Sequence, residues 1–197
     1  MKKFQTLSIL LITFLAVNVA LAQNNLKAPV RYKLKNGVTL IVAQNVGSGK
    51  IYSRLTVENQ ADDSSNIFAQ LLENYMSNKA KAFNETNPSQ VTLNYNEANT
   101  ATTVANFEQA LNLVAESFIN PEITKTLFSE MKELYTGKKA DLDALTFKDF
   151  QAYYSKNFKA ADTFITIAGD ISPVQAKELV NKSLGNSKDL NLITAAK

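Results

Sequence analysis

The sequence predicts an α+β domain: a mostly antiparallel sheet with helices packed on one face. Three observations carry that expectation. Short segments near the start alternate apolar with polar residues, later segments place apolar residues at helical spacing, and the order runs strands, helix, strands, helices, strand, helix.

In Val30–Asn45, Val30, Tyr32 and Leu34 alternate with Arg31, Lys33 and Lys35, and Val38, Leu40 and Val42 alternate again after Asn36-Gly37. Asn-Gly is a strong two-residue hairpin signal because both residues tolerate positive φ. Gly47-Ser48-Gly49 marks a second turn, and Ile51, Ser53, Leu55 and Val57 fit a third strand, so the domain is expected to open with a meander. Asp62-Asp63-Ser64-Ser65 is rich in helix-capping residues. Ile67, Phe68, Leu71, Leu72, Tyr75 and Met76 then form one apolar helical face, with Gln70, Glu73 and Asn74 on the opposite, solvated face. Asn84–Asn87 before Pro88 reads as a loop, and Val91–Val104 as one or two strands.

Asn106 is placed to cap a helix carrying Phe107, Ala110, Leu111, Val114, Phe118 and Ile119, which Asn120-Pro121 ends. A second helix follows with Ile123, Leu127, Phe128, Met131 and Leu134 inward, and Gly137-Lys138-Lys139 breaks it. Thr146 and Asp149 resemble a capping box before a helix bearing Phe150, Tyr153 and Tyr154. These two tyrosines read as core or core-edge aromatics. TFITIA at Thr163–Ala168 is a compact strand. Ser172-Pro173 opens the last helix, and Gly185 suits its C-terminal cap.

Composition narrows the chemistry. The 197 residues include no histidine, cysteine or tryptophan. A serine–histidine triad, a thiolate nucleophile, a disulfide and an imidazole or thiolate metal site are therefore excluded from this chain. The formal charge of +3 comes partly from Lys2 and Lys3; residues 1–22 hold no acid, so their removal would leave +1. With no basic run, a nucleic-acid partner is not expected. Residues 1–22 have the form of a bacterial signal peptide: a short positive start, an apolar run too short for a comfortable membrane span, and Ala20-Leu21-Ala22 as the cleavage site. The expected organisation is a signal peptide at 1–22, a leader at 23–29, one shortened domain at 30–185 and a tail at 186–197. The location is then periplasmic or secreted, with no retained membrane span.

Three stretches together resemble the insulinase/pitrilysin family of zinc metalloproteases, which includes the mitochondrial-processing-peptidase type. YKLKNGVTLIVAQN is similar to that family's opening hairpin, FEQALNLVAESFINPEIT to its helix-and-NP turn, and LTFKDFQAYYSKNFKAADTFITIAGDISPVQAKELVNKSLG to its closing unit. In active members, the resemblance implies, two histidines of H-x-x-E-H and a downstream glutamate hold zinc, and the middle glutamate is the general base. Here FAQLLENYM places Gln70 and Asn74 at the histidine positions and Glu73 at the base position. The third-ligand position falls near Gly137. Neutral amide oxygens are poor zinc donors, so no metal or other cofactor is expected.

The resemblance also implies that the strand region at NYNEANTATT, with Asn94, Tyr95 and Asn96, is an edge able to pair with an extended peptide. The functional expectation is a non-catalytic homologue that binds peptide or closes a chamber as partner of an active protease subunit. Two alternatives stand beside it: a stand-alone periplasmic binding or structural domain, and an active peptidase whose non-histidine metal site would draw on Glu73, Glu130 and Glu133.

Overall fold

A computed structural model of the chain describes residues 26–58, 66–119 and 123–184. The expected signal segment, the capping run Asp62–Ser65, Asn120-Pro121, Gly185 and the tail lie outside them. Among the described residues no helix is long and apolar enough to cross a membrane.

Strands β1 (Val30–Lys33) and β2 (Thr39–Gln44) form the expected hairpin, with Tyr32 opposite Leu40. Gly37 takes φ +94° at the turn. The Asn36 side chain fastens that turn twice. Its Oδ1 accepts from the Val38 N–H at 3.1 Å, and its amide donates to the Leu184 carbonyl at 2.6 Å, at the end of the last helix.

The expected meander is not formed. Strand β3 (Lys50–Val57) does not pair with β2, because β6 (Thr163–Gly169) lies between them. The six-stranded sheet runs β1-β2-β6-β3-β5-β4, with β4 at Gln90–Leu93 and β5 at Glu97–Thr103. Strand β6 is parallel to β2 and antiparallel to β3; the other pairs are antiparallel. Alternation within a strand fixes which face it buries but not its neighbour, so the short β2–β3 turn was compatible with either arrangement. A parallel pair needs a long crossover, which the chain between β2 and β6 supplies.

The helices are α1 (Ile67–Thr86), α2 (Phe107–Phe118), α3 (Lys125–Leu134), α4 (Phe147–Asn157) and α5 (Pro173–Leu184). Asn66 caps α1 by accepting from the Phe68 N–H at 2.9 Å. Helix α1 runs through the expected loop at Asn84 and stops only at Asn87, whose extended backbone (φ −127°, ψ 142°) is the conformation required before Pro88. Asn106 precedes α2 without a side-chain cap bond; a single 3-10 turn at Val104–Asn106 leads in instead. At α4, Thr146 Oγ1 accepts from the Asp149 N–H and donates to the Asp149 carboxylate. The shorter aspartate meets the hydroxyl, where the glutamate of a full capping box would reach the backbone.

The core joins Leu40, Val42, Ile51, Leu55, Ile165 and Ile167 of the sheet to the inner faces of the helices. Full burial of each such side chain is worth about 1.5–3 kcal/mol. Tyr154 is fully buried, stacks on Phe158 at 4.3 Å between ring centroids, and donates to the Phe118 carbonyl at 2.9 Å. Burial raises its pKa far above the usual phenol range. Tyr153 is half-buried against Phe68. Both tyrosines are core aromatics.

At the end of β6 the backbone passes under the β2–β3 turn. The Asn45 N–H bonds to the Gly169 carbonyl at 2.7 Å, the Asp170 N–H to the Lys50 carbonyl at 2.9 Å, and Asp170 Oδ2 accepts from the Gly49 N–H at 3.1 Å. Gly169 has φ +141°, and a Cβ there would lie 2.2 Å from the Lys50 carbonyl oxygen. Gly169→Ala is expected to destabilise the protein by about 2–3 kcal/mol through backbone strain and forced separation of β3 from β6. Urea denaturation checks this, with Gly47→Ala, where a Cβ meets nothing within 4 Å, as the milder comparison.

Candidate functional site

The first turns of α1 place Gln70, Glu73 and Asn74 on the side of the helix away from Leu71, Leu72 and Met76. That side is not a solvated face. All three residues are half-buried, and each side chain is held within the fold. The Tyr135 hydroxyl donates to Gln70 Oε1 at 3.0 Å. The Thr136 hydroxyl donates to Asn74 Oδ1 at 3.3 Å, while the Asn74 amide donates to the Gln70 carbonyl at 3.0 Å. Glu73 Oε2 accepts from the Tyr95 backbone N–H at 2.8 Å. The motif helix is therefore clasped to two other segments, the exit of α3 and the β4–β5 turn.

Sequence reasoning missed Tyr135 and Thr136. They lie just before Gly137, near which the resemblance puts the third metal ligand, and a signal was present in the two hydroxyl groups standing there. Gly137 is part of the same arrangement. A Cβ on it would lie 2.3 Å from the Tyr135 hydroxyl oxygen, so Tyr135 reaches Gln70 across space that only glycine leaves open.

The zinc ion implied by the resemblance does not fit these residues. The two positions that the resemblance assigns to histidines carry amides that accept hydrogen bonds from hydroxyls, and near the third lies Gly137, whose substitution would collide with Tyr135. The alternative carboxylate site is not assembled either. Glu130 lines a cavity of about 450 Å³ between α1, α2 and α3, together with Tyr75 and Glu116 rather than Glu73. Burial, then the Glu130 and Glu116 carboxylates, raise the Tyr75 pKa. Glu133 is exposed. Among the described residues no group of three histidine, cysteine, aspartate or glutamate side chains is arranged to hold a metal.

The expected peptide edge also falls elsewhere. Asn94, Tyr95 and Asn96 form the turn between β4 and β5, and their backbone is engaged: the Asn94 N–H bonds to the Glu97 carbonyl at 2.7 Å and the Val57 N–H to the Asn96 carbonyl at 3.0 Å. Strand β5 is interior, and β4 is the outer strand on this side. Its Val91 is guarded by α1. The Asn84 amide donates to the Val91 carbonyl at 2.8 Å, and Asn84 Oδ1 accepts from the Val91 N–H at 2.9 Å. One side chain thus occupies both outward backbone groups of Val91, and covering part of an edge in this way hinders strand addition there.

No protein-family model and no curated protein matches the sequence. Solved structures do match. A protease from Helicobacter pylori superimposes with a TM-score of 0.60 at 17% identity, over 86% of this chain and 52% of that one. The periplasmic protease PqqL from Escherichia coli gives 0.58 at 12% identity, over 89% and 25%. A peptidase M16 inactive domain from Pseudomonas fluorescens gives 0.58 at 15% identity, over 81% and 50%. The chain spans between a quarter and about half of the length of these chains. At such identities the common feature is the fold, which is that of an M16, insulinase-type peptidase domain.

Two substitutions test the clasp. Tyr135→Phe is expected to cost about 1 kcal/mol of stability, the usual worth of one hydrogen bond. Glu73→Ala is expected to cost about 1–3 kcal/mol, because it strands the half-buried Tyr95 N–H. Equilibrium denaturation measures both, and a neutral Glu73→Ala would show that the clasp contributes nothing.

Proposed function

We propose that this chain is a non-catalytic M16-type domain, exported to the periplasm or outside the cell, which forms part of the chamber wall for an active protease subunit of the same fold. The observation that carries this reading is the use of Gln70, Glu73 and Asn74 as internal hydrogen-bond partners. A zinc-peptidase general base works on a water held by a metal, whereas Glu73 Oε2 accepts from the Tyr95 N–H and, among the described residues, no metal-ligating group is arranged beside it. The likeness to M16 peptidase folds, one of them named an inactive domain, supports a structural role for such a domain. The Asn84 side chain on Val91 favours wall formation over peptide pairing at that point of β4.

Zinc titration and peptide cleavage on the purified protein test the catalytic half of the proposal. The natural chain is expected to bind no zinc tightly and to cut no peptide. Gln70→His with Asn74→His is expected to gain only weak zinc binding, and adding Tyr135→Ala with Gly137→Glu to strengthen it. Zinc-dependent cleavage by the natural chain that Glu73→Gln abolishes would overturn the reading. Crosslinking in producing cells tests the partner: a subunit crosslinks to a zinc-binding peptidase, and a chain that captures none is not one. Mass spectrometry of the exported protein is expected to find Gln23 at its N-terminus.

A further inference from the structure

The two outer strands of the sheet are finished differently. On strand β4 the Asn84 side chain holds both outward backbone groups of Val91. Strand β1 pairs on one side only, with β2. In an antiparallel pair, hydrogen-bonded and non-hydrogen-bonded residue pairs alternate. The Leu34 N–H bonds to the Val38 carbonyl, which makes Tyr32–Leu40 and Val30–Val42 the bonded pairs in the same register. The backbone N–H and C=O groups of Arg31 and Lys33 therefore point away from β2, along the outer edge.

The side chains at this edge have a definite pattern. Tyr32 lies on the helix side, with the Lys177 ammonium of α5 5.0 Å from its ring centre. Arg31 and Lys33 lie on the opposite face, where Lys33 donates to Thr39 Oγ1 at 3.2 Å and to the Ala161 carbonyl at 3.4 Å. Both acceptors are neutral. Lys27 and Lys35 flank the strand, and no aspartate or glutamate occurs between Leu26 and Val57. Among the described residues the ion pairs are Arg54–Glu97 and Lys182–Glu108, and neither involves this edge. Large apolar side chains are exposed beside the cations, Leu26 at 67% and Val30 at 36%.

We infer that the β1 edge is a docking site for an extended, acidic segment of a partner protein, added to the sheet as a seventh strand. Backbone bonds to Arg31 and Lys33 would supply the pairing, and side-chain alternation the selectivity. Acidic residues of the incoming strand would lie beside Arg31 and Lys33, and apolar ones beside Val30 and Tyr32, since cross-strand neighbours of opposite charge attract. A second copy of this chain is disfavoured, because either strand direction would set cations against cations. This site is separate from the clasp and does not depend on the chain's lacking catalysis.

The test uses the purified, isotope-labelled protein and a short capped peptide alternating glutamate and valine. Binding is expected to slow hydrogen exchange at the Arg31 and Lys33 amides, leave the Val91 amide unchanged, and weaken as salt is raised. The matching lysine–valine peptide is expected to bind about tenfold more weakly or worse. Arg31→Glu with Lys33→Glu, both surface changes, is expected to reverse that preference while the circular dichroism spectrum stays the same. Equal binding of both peptides, no added protection at Arg31 and Lys33, or binding to anionic vesicles in place of the peptide would each overturn the inference. If the charge-swapped variant does not fold, the two peptides on the natural protein still decide it.

Discussion

The sheet depends on one close passage, where β6 slides between β2 and β3 and its end runs beneath the turn joining them. The approach of Gly169 to the Lys50 carbonyl admits no side chain. The centre of the sheet is thus completed by one of the last segments of the chain, and β2 and β3, although joined by a short turn, are held together through a third strand. Pairings of such long sequence separation are costly in chain entropy and slow to form. The apolar run TFITIA can supply backbone partners on both edges while burying Ile165 and Ile167, which is what a central strand must do.

Everything at the candidate site rests on that platform. With the sheet in place, α1 packs over β4, and the exit of α3 comes alongside the first turns of α1. In the zinc peptidases that the sequence resembles, the matching segments are expected to carry ligands to one metal. Here the same convergence is filled by neutral hydrogen bonds from Tyr135 and Thr136 to Gln70 and Asn74. A metal site and this clasp are alternative solutions to one problem, the satisfaction of half-buried polar side chains where two segments meet. Gly137, which carries no side chain, leaves the space that the Tyr135 hydroxyl uses.

The contrast between the sheet's edges follows from the same economy. On the β4 side, α1 continues far enough for Asn84 to reach the strand, because no helix-breaking residue intervenes before Pro88. On the β1 side no such cover exists among the described residues, and the edge carries cations instead. Charge on an edge strand discourages pairing with like strands and leaves pairing with an acidic one open.

The sequence by itself determined the fold class, nearly every element and most of the core faces, because each depends on periodicity, turn chemistry or residue type within a short window. The hairpin at Asn36-Gly37, the caps at Thr146 and Ser172 and the buried Tyr154 were legible for that reason. Tertiary structure alone decided that β6 separates β2 from β3, since alternation does not name a strand's neighbour. It alone turned a helix side that reads as solvated into a clasped one, because the partners Tyr95, Tyr135 and Thr136 lie 22 to 65 residues away along the chain. It also moved the outer strand from Asn94–Asn96 to β4, since the position of an edge follows from the order of strands across the whole sheet and not from the composition of any one of them.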